Sequence, residues 1–129
     1  GVQTCALPIS FLVDEEGNKF MGIGVLWLLD QVAVHNSLRK AASALGISYS
    51  KAFSMVQNLE RSLGVAVLNR RKGGASRDGA TLTAFAMAFL DLYRNFEKQA
   101  KRDLNVPFDR FRQDLALLLE AQDAPGGEL

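Results

Sequence analysis

The sequence predicts a mainly α-helical fold with small β-hairpins, and three observations support this prediction. Residues 37–64 contain two helical patterns separated by a single glycine turn. Residues 65–82 contain two short strand-like segments on either side of the turn-rich run RKGGASRDG. From residue 85 onward, aromatic side chains and leucines recur three or four residues apart, which predicts a long C-terminal helix. This order of elements is typical of a winged helix-turn-helix.

The first nine residues, GVQTCALPI, are expected to be non-native, because they look like the translation of a sequencing-adapter primer. They fit no helix or strand period, and they lack the basic start of a secretion signal. Cys5 is the single cysteine of the chain, so the remainder offers no disulfide and no thiolate zinc site. This composition agrees with a reducing cytoplasm.

The segment after residue 10 predicts a β-hairpin followed by a helix. Residues 11–13 and 19–23 flank the turn DEEGN, in which Gly17 and Asn18 can take positive φ values. Residues 24–36 show a helical period with a broad apolar face, which suggests contact on more than one side, for example with a second subunit. The apolar residues of this helix are Val25, Leu26, Trp27, Leu28, Leu29 and Val32.

Residues 38–45 and 49–63 are predicted to form the helix-turn-helix itself. Gly46 suits the left-handed position that ends a helix, and Ser48 can cap the next helix by accepting a backbone N–H. The residues spaced to pack the two helices together are Ala41, Ala42, Leu45, Ile47, Ala52, Val56 and Leu59. Those left on the outer face of the second helix are polar, short or basic and suit a DNA groove: Ser50, Lys51, Ser54, Gln57 and Asn58.

A wing and a helical region complete the predicted order. Residues 65–70 and 80–82 are predicted strands around the turn-rich loop, and Thr83 can cap the helix that follows. One stripe of that helix carries Phe85, Phe89, Leu92, Tyr93 and Phe96. Pro107 is expected to interrupt this helix and to begin a new one. We therefore expect a DNA-binding domain at residues 10–102, a helical extension at 103–122 and a flexible tail at 123–129.

The charge distribution indicates a nucleic-acid partner. The whole chain carries a net charge of +1, with 15 basic and 14 acidic residues. Residues 37–77, however, hold eight basic side chains and one acidic side chain, which leaves +7 on the central third. Phosphate binding requires such a basic footprint, because neutralised phosphates release their counterions.

The predicted helix-turn-helix assigns candidate DNA contacts. Residues in the first turn of the second helix reach base edges, and a helix N-terminus favours phosphate. Tyr49 has two interpretations: it contacts a sugar or phosphate, or it covers the helix junction. Cations of the wing and of the first motif helix are placed near the phosphate backbone. The candidate residues are Arg39, Lys40, Ser48, Tyr49, Ser50, Lys51, Ser54, Gln57, Arg70, Arg71, Lys72 and Arg77.

Other chemistry has little support in the sequence. Residues 74–81 approach a phosphate-binding loop pattern, but Ala80 occupies the position of the required lysine. His35 is the only histidine, and no nucleophile and orienting carboxylate accompany it. The acidic run at residues 14–16 is interpreted as a solvated hairpin turn rather than a metal site. We expect no catalysis, cofactor or metal, and no apolar run approaches the length of a membrane helix.

Five motifs follow one another in order: SLRKAASALGISYSKAF, ERSLG, NRRKGG, GATLT and LYRNFEKQ. Together they resemble the N-terminal DNA-binding domain of ModE-type molybdate-responsive repressors, which are relatives of the LysR-type regulators. The resemblance covers residues 20–102 and implies a two-fold dimer with recognition helices in successive major grooves of a palindromic operator. The wing departs from the family pattern at residues 75–78, where a nearly continuous glycine run is expected.

Full-length molybdate repressors carry oxyanion-binding domains, whereas this chain has one more predicted helical segment after residue 102. We therefore expect a stand-alone form with no molybdate site within this chain. The resulting hypothesis is a cytoplasmic, bacterial-type transcriptional regulator that binds operator double-stranded DNA as a homodimer. Dimerisation is expected to use residues 24–36 and the helices after Thr83, whose apolar faces exceed the needs of one small core. The alternative is a protein-interaction module that keeps the dimer scaffold and modulates another regulator without binding DNA.

Overall fold

The computed structural model describes residues 11–70 and 79–123 of the chain, which are mainly helical with two small antiparallel hairpins. This architecture confirms the predicted fold class, including the long C-terminal helix. In chain order the elements are β1 (Leu12–Val13), β2 (Lys19–Met21), α1 (Ile23–His35), α2 (Leu38–Leu45), α3 (Tyr49–Leu63), β3 (Leu68–Arg70), β4 (Ala80–Leu82) and α4 (Ala84–Asp123). The bounds of α2 and α3 are those that the sequence predicts.

The N-terminal hairpin pairs β1 with β2, with Leu12 opposite Met21. The Asp14 carboxylate organises its turn by accepting the backbone N–H of Glu16 at 2.9 Å and that of Asn18 at 2.8 Å. Gly17 has a φ of +86°, as expected for this turn. The expectation for Asn18 is wrong, because Asn36 is the only non-glycine residue with positive φ in the described part of the chain. Because the Asp14 carboxylate accepts both N–H groups, the turn closes without a second left-handed residue.

The helix-turn-helix forms as its local signals predict. Gly46 ends α2 in the left-handed region, with a φ of +71°, and its N–H points to the carbonyls of Ala42 and Ser43. Ser48 caps α3 by accepting the N–H of Lys51 at 3.0 Å. The residues buried where α2 and α3 pack are Ala41, Ala42, Ala52, Val56 and Leu59. Leu45 and Ile47 are half-buried and pack against the same core.

A single core joins α1, the helix-turn-helix, the wing strands and the start of α4. Leu28, Leu29 and Val32 of α1 are fully buried, and Leu90 and Tyr93 of α4 belong to the same cluster. Arg94 of α4 pairs with Asp30 of α1 and, at 3.4 Å, with Asp91 of its own helix. The N-terminal part of α4 is therefore packed onto the domain that carries the helix-turn-helix.

The wing pairs β3 with β4 in register, with Leu68 opposite Leu82 and Arg70 opposite Ala80. The predicted strand at residues 65–70 is thus shortened to its last three residues. The strand β4 also contacts the turn between α1 and α2, because the Ala80 N–H donates to the Asn36 carbonyl at 3.0 Å. The wing is therefore attached to the turn between α1 and α2 as well as to its own partner strand. The expected turn-rich loop falls at residues 71–78, outside the described residues.

The helix α4 begins as predicted but does not end at Pro107. Thr83 caps it by accepting the Ala86 N–H at 3.0 Å, and its hydroxyl donates to the Ala66 carbonyl at 2.9 Å. The predicted break at Pro107 is wrong, because α4 continues through this residue to Asp123. A proline removes the hydrogen bond to the carbonyl four residues earlier, here that of Asp103. Both residues are exposed, so water can satisfy that carbonyl and the helix continues.

The described chain divides into two compact units, with the boundary after Arg94. The expected extension at residues 103–122 is part of α4, in the second unit, which carries exposed apolar side chains such as Leu117 and Leu118. The expected non-native residues 1–9 and the tail after Asp123 lie outside the described residues. None of the helices in the described ranges combines the length and apolarity that crossing a membrane requires.

Candidate nucleic-acid interface

The outer face of α3 presents the side chains that the sequence predicts for a recognition helix. Lys51 follows the cap in the first turn, and Tyr49 is 39% exposed. The predicted contact residues on this helix and its cap are all exposed: Ser48, Tyr49, Ser50, Lys51, Ser54 and Gln57. Since the opposite face supplies Ala52, Val56 and Leu59 to the core, the polar face of α3 is free to meet an external partner.

Asn58 is an exception to the predicted outer face. Its side-chain amide donates to the backbone carbonyl of Lys19 at 2.9 Å, and the residue is half-buried. This hydrogen bond joins the recognition helix to β2 of the N-terminal hairpin. Sequence spacing placed Asn58 beside Gln57 and Ser54, but only the tertiary position of the hairpin shows that this amide is already used within the protein.

Arg39 and Tyr49 bring the starts of α2 and α3 together. The guanidinium of Arg39 lies over the Tyr49 ring, 4.3 Å from its centre. This distance is well inside the range of a cation–π contact. Lys40, the second predicted cation of α2, is exposed beside it. The Tyr49 ring therefore lies at the helix junction, as one interpretation predicts, and it is partly exposed; its contact with a sugar or phosphate stays a prediction.

Arg70 ends β3 and faces the recognition helix. Its guanidinium lies 4.9 Å from the centre of the Phe53 ring and 3.9 Å from a carboxylate oxygen of Glu60. Phe53 in turn lies 6.2 Å from Tyr49, measured between ring centres. A row of side chains, Arg39–Tyr49–Phe53–Arg70, therefore runs from α2 along α3 to the wing. We call it the arginine–aromatic row.

Sequence reasoning missed two members of this surface, Phe53 and Glu60. Phe53 follows Tyr49 by four residues, a spacing that places the two rings on one side of a helix. Glu60 is the single acid of residues 37–77, and this isolated position is the sequence signal that could have singled it out. Arg71, Lys72 and Arg77, the remaining predicted cations of the wing, lie outside the described residues.

These features define a winged helix-turn-helix with an exposed polar recognition helix between two arginines. The matching family model is described as a bacterial regulatory helix-turn-helix protein of the LysR family, and it matches residues 24–87. This range contains all of α1 except its first residue, the helix-turn-helix, both wing strands and the first turn of α4.

Three of the similar solved structures are of CbnR, a LysR family transcriptional regulator. A complex of the CbnR DBD with DNA is 30% identical, with a TM-score of 0.53, and the match covers 74% of this chain and 99% of that chain. Full-length CbnR complexed with its target DNA is 32% identical, with a TM-score of 0.53 and coverage of 71% and 29%. CbnR itself, a LysR family transcriptional regulator, is 32% identical, with a TM-score of 0.51 and the same coverage. A comparison with curated proteins gives no match.

The chain belongs to the LysR family of bacterial regulatory helix-turn-helix proteins. This family is a class of transcriptional regulators rather than of enzymes. The chain spans 29% of the length of full-length CbnR and 99% of the length of the CbnR DBD.

Proposed function

We propose that this chain is the DNA-contacting part of a cytoplasmic transcriptional regulator and binds operator double-stranded DNA in a sequence-specific manner. The observation that carries the proposal is the exposed polar face of α3 with Lys51 at its start and an arginine on either side. In a helix-turn-helix, this face enters the major groove and the neighbouring cations meet phosphates. The relatives crystallised with DNA have the same fold, which supports the proposal.

Different residues of this surface are assigned different tasks. Base edges are contacted by side chains with hydrogen-bonding groups on the exposed face of α3, namely Ser50, Ser54 and Gln57. Phosphates are contacted by Lys51 and Lys40 and by Arg39 and Arg70 at the edges of the surface, and the remaining cations of the wing sequence are proposed to do the same. Base contacts specify the sequence, whereas phosphate contacts position the protein on the duplex and supply the salt dependence.

We further propose that the chain binds DNA as a homodimer. Leu92 on α4 is 70% exposed, and Val34 on α1 is 69% exposed. Trp27 and Phe85 add exposed aromatic rings on the same two helices. Apolar surface of this kind on two helices is expected to be covered by a second copy, and a two-fold dimer places two recognition helices on a palindromic site.

We further propose that the chain is of the ModE type, a group of repressors related to the LysR-type regulators. This assignment is supported by the motif SYSKAF, which spans the cap and the first turn of α3, and by the motif GATLT, which contains β4. The exposed positions within SYSKAF include Tyr49 and Lys51, so the motif lies at the surface that would meet DNA.

Selection of bound duplexes from a random DNA pool tests the proposal. We expect an enriched palindrome, and we expect its Kd to be lower than that of a scrambled duplex by ~10³-fold or more. The affinity should fall steeply between 50 and 200 mM salt, as for any protein that contacts several phosphates. Lys51→Ala should weaken binding, whereas Lys101→Ala, an equal change of charge on α4, should leave it within about twofold. No enrichment, together with no detectable binding to any duplex at 50 mM salt, would support the protein-interaction alternative.

A further inference from the structure

Glu60 is the only acidic residue among residues 37–77, and it lies on the recognition helix. A carboxylate at this place opposes phosphate binding by its charge, because DNA is a polyanion. The Glu60 side chain is turned toward the wing and is 25% exposed. Its hydrogen-bond and ion-pair partners lie in and next to β3 of the wing.

Glu60 accepts hydrogen bonds from both ends of the loop that joins α3 to β3. Its backbone carbonyl accepts the N–H of Gly64 at 2.8 Å, which closes the last turn of α3. One oxygen of its carboxylate accepts the N–H of Val67 at 2.8 Å and approaches that of Leu68 at 3.4 Å. Val67 is fully buried, so its N–H needs a partner within the protein. Glu60 therefore contacts both ends of the loop at residues 64–68, which connects α3 to the first strand of the wing.

The other carboxylate oxygen of Glu60 extends this connection to Arg70, at 3.9 Å. Arg70 also covers the Phe53 ring, so β3 contacts α3 at a second place along the helix. The first wing strand is consequently attached to the recognition helix through backbone donors at its start and through a side chain at its end. No comparable acid lies on this face elsewhere in residues 37–70.

We propose that Glu60 is a positioning residue that sets the wing against the recognition helix, so that both elements engage DNA in one fixed geometry. This inference depends on the proposed function, because the geometry matters only for a duplex that contacts both elements. Glu60 itself makes no contact with DNA. Its contribution is the hydrogen bond that its carboxylate accepts from the Val67 N–H, together with the ion pair with Arg70.

Replacing Glu60 changes the DNA affinity in opposite directions if the residue acts by positioning the wing or by its charge alone. Removing an acid from a basic surface should tighten DNA binding if charge alone matters. If Glu60 positions the wing, Glu60→Ala should instead weaken DNA binding by about tenfold, because the Val67 N–H loses its acceptor on the recognition helix. Glu60→Gln removes the same charge but keeps an oxygen that accepts the Val67 N–H, and we expect affinity within about threefold of wild type. Glu15→Ala, an exposed acid of the hairpin turn, is the matched charge control and should change affinity by less than about twofold.

Amide hydrogen exchange provides a readout that does not require DNA. In Glu60→Ala the Val67 N–H should exchange more than about tenfold faster, whereas the Ala52 N–H inside α3 should keep its wild-type rate. In Glu60→Gln both rates should stay near those of wild type. This measurement remains informative if the wild-type protein fails to bind any duplex, a result that would overturn the proposed function alone.

Three results would overturn the inference. The first is an unchanged or tighter affinity in Glu60→Ala, and the second is an equal loss in the alanine and glutamine variants. The third is an unchanged exchange rate at Val67 in Glu60→Ala. A general loss of folding in Glu60→Ala would accelerate exchange at Ala52 as well. In that case the DNA affinity of Glu60→Gln is the test. An affinity within about threefold of wild type supports the inference, and a tenfold loss refutes it.

Discussion

The guanidinium of Arg39 lies 4.3 Å from the centre of the Tyr49 ring and joins the first turn of α2 to the first turn of α3. Tyr49 also contacts Phe53, and Arg70 of the wing covers the Phe53 ring. The arginine–aromatic row therefore connects the three elements that a winged helix-turn-helix uses on DNA. Its two cations are held at opposite ends of an aromatic pair rather than left to move on long flexible stems.

Tyr49 is predicted to act through the face of its ring. Tyr49→Ala should weaken DNA binding by about three- to tenfold, because Arg39 loses the surface that orients it. Tyr49→Phe keeps the ring and removes only the hydroxyl, so it should retain affinity within about twofold. Titration of both variants against one operator duplex gives the comparison. Equal losses in the two variants would instead assign the effect to a hydroxyl contact with DNA.

Lys51 and Arg71 are predicted to contact phosphates. Alanine at both positions should lower the slope of log affinity against log salt by about 2, one for each lost phosphate contact. Binding to specific and scrambled duplexes should weaken in parallel, because phosphates carry no sequence information. Gln57→Ala provides the contrast: it should reduce discrimination between bases by about 1–3 kcal/mol and leave the slope unchanged. An unaltered salt slope in the double variant would remove both cations from the interface.

Ser48 is predicted to stabilise the recognition helix as its cap. Ser48→Ala removes the acceptor of the Lys51 N–H and should lower the free energy of unfolding by about 1 kcal/mol. Ser48→Asp keeps an acceptor and should recover most of that loss. Ser43→Ala, at an exposed position of α2, is the control and should stay within about 0.5 kcal/mol of wild type. Urea unfolding measures all three, and similar stability of the alanine and aspartate variants would contradict a capping role.

Alanine substitutions at Gly46 and Gly24 should change the free energy of unfolding in opposite directions. Gly46 has a φ of +71°, and an added Cβ would meet no atom within 4 Å, so Gly46→Ala should cost about 1 kcal/mol through backbone strain alone. Gly24 has helical geometry, and the nearest atom to an added Cβ would be Met55 Cε at 3.9 Å. Gly24→Ala should therefore stabilise the domain by about 0.5 kcal/mol. Thermal unfolding of the pair tests this, and destabilisation by both would show that packing rather than φ governs these positions.

Leu92 is predicted to lie in the homodimer interface. Leu92→Glu places a charge on a side chain that is 70% exposed in one copy, so the domain should fold normally while the dimer dissociation constant rises at least about tenfold. Val13→Glu, a similar change on the exposed β1 strand, should leave assembly unaltered. Sedimentation equilibrium at several concentrations distinguishes the outcomes. A dimer as tight as wild type would place the interface elsewhere.

Local chemistry made much of the fold predictable from sequence. The bounds of α2 and α3 follow from a glycine that ends one helix and a serine that begins the next, and both signals act within four residues. The cap at Thr83 and the strand at Ala80–Leu82 are local in the same way. Pro107 misled the prediction because a proline is tolerated in a helix when the freed carbonyl remains exposed to water. Exposure is a tertiary property, so the sequence pattern could not reveal it.

The amino-acid sequence by itself determined the helix-turn-helix, its polar outer face and the concentration of positive charge in the central third. These features depend on periodicity, on capping residues and on composition, each of which acts over short distances along the chain. The tertiary structure alone decided that Asn58 is used by the hairpin, that Arg39 and Arg70 share an aromatic pair, and that Glu60 accepts the wing's first donors. Each of these contacts joins different secondary-structure elements, and such pairings depend on how the whole core packs rather than on spacing within one element.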